Sequence, residues 1–282
     1  RSFKLDWNRK HGLLTFPKSR GDEEKQKVAG VFTGCVMDVA ENSIMEQTVK
    51  LLDLAGNRIF IPPMQICCGA IASHCGDLKT AKRCAQTNVD AFQKAACDFI
   101  VTSSAGCLRE LKRDSIDTAG PPSSLENKSS LSFNQKLIDI VELLSDHSQI
   151  IETQKWQKTP VHILYDSPCH LIHGQGVAAN AKTTNFLQKL PGVNLQLIPD
   201  HDACCGAAGI YNINHPETSR LVLEQKESAI RSILLDNPKV SILLTGNPGC
   251  IFQLRGMVLE KNIPIKVMHP VEFIGGRLMG SE

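Results

Sequence analysis

The sequence has few aromatic residues and almost no excess of charge of either sign. Aromatic side chains make up 5% of the 282 residues, and the formal net charge is +2 at pH 7. Nucleic-acid and anionic-membrane surfaces are typically recognised by basic patches and stacking rings, so this composition indicates neither partner. Hydrophobic residues still account for 42% of the chain, and the length suits two domains of ordinary size.

Long apolar runs and targeting signals are also lacking. No window approaches the 18 apolar residues of a transmembrane helix, and the N-terminus lacks the apolar stretch of a signal peptide. We therefore expect a cytoplasmic location. Residues 1–27 begin without Met and are predicted to be a polar, irregular lead-in or linker, which is compatible with a piece cut from a longer chain.

The usual signatures of substrate chemistry are missing as well. The sequence shows no pattern typical of a Ser-His-Asp triad and no flavin or nicotinamide fingerprint. Eleven cysteines are an odd number in a chain without a secretion signal. They predict metal-binding thiolates in a reducing compartment rather than disulfides.

Eight cysteines form two copies of one pattern. Each copy has a lone Cys after a β-rich run, then Cys-Cys-Gly, then Gly-Cys after another β-rich run. There are 31 residues between Cys35 and Cys67, and 34 between Cys169 and Cys204. This agreement indicates an internal duplication. The eight candidate ligands are Cys35, Cys67, Cys68, Cys107, Cys169, Cys204, Cys205 and Cys250.

Helical patterns alternate with the β-rich runs in both halves, which predicts an α/β fold with an open parallel sheet in each half. The cysteine motifs would lie at the carboxyl edges of the strands, where open α/β sheets place their sites. We expect one cysteine-rich domain over residues 28–116 and a second over 156–282. Residues 117–155 between them are predicted to be a flexible loop followed by a connecting helix, QKLIDIVELLSDH.

Four thiolates in each half match the ligand number of a [4Fe–4S] cluster, and two adjacent thiolates can each bind a different iron. Zinc is the main alternative, but zinc sites usually draw on close Cys-x-x-Cys pairs, whereas these ligands are spread over about 70–80 residues. Cys84 and Cys97 are expected to be buried structural residues. Cys75, seven residues beyond Cys68, stays open as a further ligand.

The motifs SPCHLIHGQG, ACCGAAGIYNINHPE and TGNPGCIFQL resemble those of the cysteine-rich CCG-domain family. The resemblance covers roughly residues 28–275 and is strongest to the iron–sulfur subunit of glycolate oxidase. Lactate-utilisation iron–sulfur proteins, and the cysteine-rich subunits of anaerobic glycerol-3-phosphate dehydrogenase and of heterodisulfide reductase, are relatives. The resemblance implies one [4Fe–4S] cluster in each half, held by the eight cysteines.

Two departures from these relatives matter. Glycolate oxidase subunits carry an N-terminal ferredoxin-like region, which this sequence lacks, so that region would belong to a missing N-terminus or to another chain. Heterodisulfide reductase units close each motif with Cys-x-x-Cys, but here Glu110 and Gln253 stand at the position of the last cysteine. Their presence favours a four-ligand cluster over disulfide-reducing chemistry.

Histidines and acidic residues also occur in or near the motifs. Hydrogen bonding to a cluster sulfur, proton handling and adjustment of local charge are candidate roles, against ordinary surface or core positions. The residues are His74, His170, His173, His201, His269, Asp200 and Asp202.

The resemblance implies an electron-transfer subunit that serves a flavin-dependent 2-hydroxy-acid dehydrogenase, with glycolate or lactate as substrate and a quinone-type acceptor. FAD would reside only in a partner subunit, and association with the inner face of a membrane would occur through the complex. Two alternatives stay open: a heterodisulfide or quinone reductase with a cluster active site, and a zinc-stabilised interaction module.

Overall fold

Short apolar runs rich in β-branched residues alternate with amphipathic runs along the chain, and most of them form the element that their periodicity favours. The computed structural model describes residues 13–14, 26–93, 97–117 and 133–279. The chain divides into two units between residues 150 and 151. None of the helices in these described ranges combines the length and the apolar character needed to cross a membrane.

The first unit contains the strands and helices that follow here in chain order, and the last of these helices crosses the division between the units. They are β1 (Leu13–Leu14), β2 (Val28–Phe32), α1 (Cys35–Ala40), α2 (Asn42–Leu54), β3 (Arg58–Phe60), α3 (Ala70–His74), α4 (Leu78–Gln93), β4 (Phe99–Thr102), α5 (Ala105–Asp117), β5 (Leu137–Asp139), α6 (Ile140–Asp146) and α7 (Gln149–Thr153).

The sheet of the first unit has the strand order β1-β3-β2-β4-β5. Strands β3, β2, β4 and β5 are parallel, whereas β1 pairs antiparallel with β3, with Leu13 opposite Phe60. Strand β1 lies within the lead-in that was predicted to be irregular. Its backbone hydrogen bonds cover one edge of the sheet, which a sequence pattern of two leucines does not reveal.

The second unit repeats this plan with a four-stranded parallel sheet of order β7-β6-β8-β9. Its elements are β6 (Val161–Tyr165), α8 (Cys169–Gln175), α9 (Val177–Lys189), β7 (Val193–Leu197), α10 (Tyr211–Asn214), α11 (Pro216–Asp236), β8 (Val240–Leu244), α12 (Pro248–Glu260), β9 (Lys266–Met268) and α13 (Pro270–Gly276). If the parallel strands of each unit are counted in chain order, both sheets follow the order 2-1-3-4. The predicted α/β fold with duplicated open parallel sheets is confirmed.

The duplication extends further than the cysteine motifs. Strand β5 and helix α6 carry KLIDIVELL (136–144), and β9 and α13 carry KVMHPVEFI (266–274). Residues 137–139 were expected to lie in a connecting helix. They instead pair with β4 as the fourth parallel strand, and the helix begins only after Asp139. Most of the predicted flexible loop lies outside the described residues.

Buried apolar residues on the strands and on the facing helices form a core in each unit. In the first unit the ring of Phe92 lies between those of Phe32 and Phe133, with centroid separations of 6.5 and 5.9 Å. In the second, Leu164 and Leu243 are completely buried. Burial of each such side chain contributes about 1.5–3 kcal/mol, so the strand ends that carry the cysteines are firmly anchored.

A tight turn follows each cysteine doublet and depends on glycine. Gly69 and Gly206 have φ angles of +93° and +87°, in the left-handed region. A Cβ on Gly206 would lie 2.6 Å from the carbonyl oxygen of Ser219, and one on Gly69 would lie 3.1 Å from the Cα of Ala81. The long helix after each doublet therefore packs directly against the turn.

We expect Gly206→Ala to lower the stability of the chain by about 1–3 kcal/mol, because it adds both a strained φ and a clash with backbone. Gly256→Ala in α12 is the matched control. Nothing lies within 4 Å of the added methyl group there, so helix propensity should raise stability by about 0.5–1 kcal/mol. Thermal denaturation of both variants measures the difference, and an unchanged melting temperature for Gly206→Ala would contradict the packing described.

Because of the buried side chain of Asp139, we expect the stability of the folded chain to depend on pH. Asp139 caps α6 by accepting hydrogen bonds from the N–H groups of Val141 (2.8 Å) and Glu142 (3.3 Å), and burial raises its pKa from 3.8 to about 7. Because the folded chain binds this proton more tightly than the unfolded chain, its contribution to stability falls as the pH rises from about 4 to about 7.

Asp139→Asn keeps a good N-cap without the titrating group. We expect it to remove a slope of at most about 1.4 kcal/mol per pH unit within that window. Urea denaturation of the two chains across this pH range measures the slopes, and parallel curves would show that Asp139 does not titrate there.

Candidate functional site

The strand order brings the cysteine loops of each unit to one edge of its sheet. In the first unit β2 lies between β3 and β4, and each of these three strands leads into a cysteine motif. The carboxyl ends of parallel strands share an edge, and β2 and β4 flank the point where the strand order reverses, which is where open α/β sheets bind ligands. The loops after β6, β7 and β8 repeat this placement.

The four thiols of the first unit form a continuous chain of contacts. The Sγ atoms of Cys35 and Cys67 are 3.4 Å apart. Cys68 is hydrogen bonded through its side chain to both Cys67 and Cys107. The four thiols differ in exposure, since Cys35 is exposed, Cys67 and Cys107 are half-buried, and Cys68 is buried in the core. We call these four residues the first quartet.

The second quartet, Cys169, Cys204, Cys205 and Cys250, has the same connectivity. Cys169 contacts Cys204 through its side chain, Cys204 contacts Cys205, and the Sγ atoms of Cys205 and Cys250 are 2.9 Å apart. Cys205 is buried, as its counterpart Cys68 is. The structure therefore brings together the eight cysteines as two equivalent sets of four.

Backbone N–H groups point at the sulfurs at equivalent positions in both quartets. Gly69 donates to Cys67 Sγ at 3.5 Å, and Gly206 donates to Cys204 Sγ at 3.3 Å. The other backbone donors are Val36 and Ala70 in the first unit, and His170 and Ala207 in the second. Such donors stabilise negative charge on sulfur and tune the potential of a bound cluster.

Crowding divides the thiols of each quartet into proton donors and proton acceptors. Hydrogen bonds from Cys35 and then Cys68 lower the pKa of Cys67 to about 2, and the equivalent bonds from Cys169 and Cys205 lower the pKa of Cys204 to about 2. The donors respond in the opposite direction. Bonding to Cys67 and burial raise the pKa of Cys35, and bonding to Cys204 and burial raise that of Cys169.

This charge pattern fits a cationic multinuclear group. Four thiolates in mutual contact repel one another, and positive iron between them would remove the repulsion and release the shared protons. Donors that are all sulfur, with backbone N–H groups directed at them, are typical of iron–sulfur ligation.

Glu110 and Gln253, which stand where heterodisulfide reductases have a further cysteine, each contact the neighbouring structure. Glu110 is buried and bonds to Arg113 at 2.6 Å, and Arg113 also donates to Ser73 in α3. In the second unit, Gln253 donates to Ser219 Oγ at 3.0 Å, and Ser219 donates to the carbonyl oxygen of Gly206 at 2.9 Å. Both side chains therefore support the segment that follows a doublet.

The three remaining cysteines separate by burial. Cys84 in α4 and Cys97 just before β4 are buried, as their sequence context predicts. Burial raises the pKa of Cys97 to about 11, so it stays a thiol at neutral pH. Cys75 is exposed at the end of α3, and the question of whether it is a further ligand stays open.

Three histidines of the second unit differ in what their side chains contact. Nδ1 of His170 lies 3.6 Å from Cys169 Sγ, and Nε2 of His173 lies 3.3 Å from the carbonyl oxygen of Asp202 in the doublet loop. His269 is buried and caps α13 by accepting a hydrogen bond from the N–H of Val271 at 3.1 Å. The side chain of His170 is therefore in contact with a cysteine sulfur of the second quartet.

Several residues that hold the cysteine loops are not evident from the sequence. They are Gln65 and Asn88 in the first unit, and Asp166, Ser219 and Lys226 in the second. Asn88 and Lys226 lie on the long helix after each doublet, at positions where a buried polar side chain interrupts the apolar face. That interruption is the one signal the sequence contains.

Comparison with known proteins identifies relatives for most of the chain. It is 32% identical over 246 residues to the "Probable glycolate oxidase iron-sulfur subunit" of Bacillus subtilis, covering 86% of this chain and 52% of that protein. It is 26% identical over 250 residues to "Lactate utilization protein A" of Oceanobacillus iheyensis, covering 86% of this chain and 95% of that protein. The chain thus spans about half of the first relative's length.

The fold also has a counterpart among solved structures. A hypothetical protein from Helicobacter pylori matches 91% of this chain and 49% of that chain, with a TM-score of 0.59 and 10% identity. The model of the CCG cysteine-rich domain matches residues 29–112 and 163–255. Each match contains one complete quartet, and the chain belongs to the CCG cysteine-rich domain family.

Proposed function

We propose that this chain is an electron-transfer subunit that binds one [4Fe–4S] cluster in each unit and serves a complex that oxidises a 2-hydroxy acid. The observation that carries the proposal is the pair of equivalent thiol quartets, each provided with backbone N–H donors at the same positions. The relatives' names, an iron–sulfur subunit of glycolate oxidase and a lactate utilisation protein, support the substrate class.

The eight cysteines would be the cluster ligands, and a bound cluster would supply one-electron transfer at each site. The protein's own contribution is to fix the four sulfurs and to set the charge around them. The buried members, Cys68 in the first quartet and Cys205 and Cys250 in the second, would anchor each site in its core, whereas exposed Cys35 would face the solvent side. This gradient of exposure offers electrons a short route between the surface and the first site.

Hydride removal from the hydroxy acid would take place on FAD in a partner subunit, because a cluster accepts electrons singly and a flavin can pass on a hydride pair as single electrons. The acceptor would be of the quinone type. Association with the inner face of the membrane would then follow from the complex, with this chain itself in the cytoplasm.

The contacts of Glu110 and Gln253 favour electron relay over disulfide reduction. Both stand where heterodisulfide reductases have an additional cysteine, and both are bonded to residues that support the loops, namely Arg113 and Ser219. A site with four ligands and no spare thiol at this position suits a cluster that only changes its oxidation state.

We expect Cys68→Ser and Cys205→Ser each to remove one cluster, and therefore about half of the iron and sulfide bound after anaerobic reconstitution. Each change removes a buried sulfur that bonds to other thiols of its quartet. Cys84→Ser is the control, since it alters a buried cysteine outside the quartets and should leave the iron content unchanged. Equal iron in all three variants would contradict the ligand assignment.

The relay itself is tested with the reconstituted chain and the flavoprotein that co-purifies with it. Glycolate or lactate should first reduce the flavoprotein and then bleach the visible absorption of this chain. Reduction of a soluble quinone should follow these two steps. Omission of this chain should abolish only the quinone step. Turnover of a heterodisulfide by this chain alone would instead favour the catalytic alternative.

A further inference from the structure

The second quartet has a buried ion pair beside it. Lys226 in α11 and Asp166 are 3% and 1% exposed, and the Lys226 Nζ lies 2.5 Å from Asp166 Oδ1. The same ammonium lies 3.4 Å from the carbonyl oxygen of Asp200. Lys226 is therefore bonded to two segments that are far apart in the sequence.

Those two segments deliver neighbouring members of the quartet. Asp166 directly follows β6 and stands three residues before Cys169, while Asp200 opens the turn that leads into Cys204. In that turn the N–H of Ala203 donates to the carbonyl oxygen of Asp200 at 2.9 Å. Since Cys169 and Cys204 contact each other, the spacing of these two segments sets the spacing of the two thiols.

The turn needs this support because Asp200 has a φ of +50°. Left-handed backbone is unfavourable for a residue with a side chain, although Asp tolerates it better than most. A second donor to the Asp200 carbonyl stabilises the turn in the conformation that presents Cys204. Lys226 supplies that donor from a helix that is anchored in the core.

The first unit joins the equivalent segments with neutral amides. Gln65 accepts from the N–H of Thr33 at 2.8 Å and donates to the carbonyl oxygen of Val31 at 3.1 Å, so it ties the doublet loop to the end of β2. Asn88 in α4 accepts from the N–H of Ile66 at 2.9 Å and donates to the carbonyl oxygen of Cys67 at 3.1 Å.

An ion pair is a costly way to fill a core, because both ions lose their hydration. Apolar residues of similar volume commonly replace such a pair without loss of stability. An apolar replacement, however, could not donate to the carbonyl of Asp200. The hydrogen bond from Lys226 to the carbonyl oxygen of Asp200, in the doublet loop, is therefore the contact that an apolar packing residue could not replace.

We propose that Lys226 is a positioning residue of the second quartet, which fixes the loop of Cys169 against the loop of Cys204. The inference rests on the proposed function, because its consequence is read from cluster binding. It makes the two sites unequal, since a buried ion pair joins the cysteine loops of the second unit, whereas neutral amides join those of the first.

The test compares Lys226→Met with the double variant Asp166→Leu/Lys226→Met in two backgrounds. Cys68→Ser leaves only the second quartet complete, and Cys205→Ser leaves only the first. Lys189→Met, at an exposed lysine of the same unit, is the control. Circular dichroism and melting before reconstitution report the fold, and iron, sulfide and the EPR spectrum of the reduced chain report the cluster.

With only the second quartet complete, we expect the double variant to keep its melting temperature. It should nevertheless bind the cluster on the order of tenfold more weakly, in line with other residues that orient metal ligands. Any residual cluster should show an altered EPR spectrum. With only the first quartet complete, the same changes should leave iron content and spectrum unaltered. Lys226→Met alone should also lower the melting temperature, because it leaves Asp166 unpaired.

Full iron and an unaltered spectrum in the double variant would overturn the inference. Equal losses in both backgrounds, or a double variant that does not fold, would also overturn it, because the pair would then support the chain in general. A parent chain that takes up no iron would instead overturn the proposed function.

Discussion

The arrangement of both sites depends on one constraint, the strand order 2-1-3-4 of a parallel sheet. This order places three loops side by side, so that a lone cysteine, a doublet and a second lone cysteine meet although about 70–80 residues separate the ends of each motif. The sulfurs then lie as close as 2.9 Å. Four thiols this close cannot all ionise without compensation, and their shared protons, together with the N–H groups directed at them, describe a site for a cationic group.

The two units hold their cysteine-doublet loops in place with different kinds of side chain. The thiols, the glycine turns and the N–H donors are the same in both, but the first unit braces its doublet loop with Gln65 and Asn88, and the second with Lys226. Neutral amides are little affected by the charge of a neighbouring group, whereas an ion pair in a core interacts with it over a longer range. Two cysteine sets that are identical in ligand type can therefore differ in electrostatic environment.

Much of this could be predicted from the sequence, because cysteine order and strand–helix alternation are local patterns. The α/β fold and the convergence of the motifs at the strand ends are examples. Strand β5 was predicted as helix because KLIDIVELL has an apolar spacing that suits both states, and only pairing with β4 decides between them. Lys226 and Asp166 were missed because they are 60 residues apart, so their contact exists only once the sheet and α11 have formed.

The central claim, that each quartet binds an iron–sulfur cluster, is tested most directly by metal and sulfide analysis of the full chain purified or reconstituted without oxygen, combined with EPR of the reduced sample. The account predicts about eight iron and eight sulfide per chain, with two signals that respond separately to Cys68→Ser and Cys205→Ser. About two zinc ions per chain, with no acid-labile sulfide and no EPR signal, would contradict it and would identify a zinc-stabilised module.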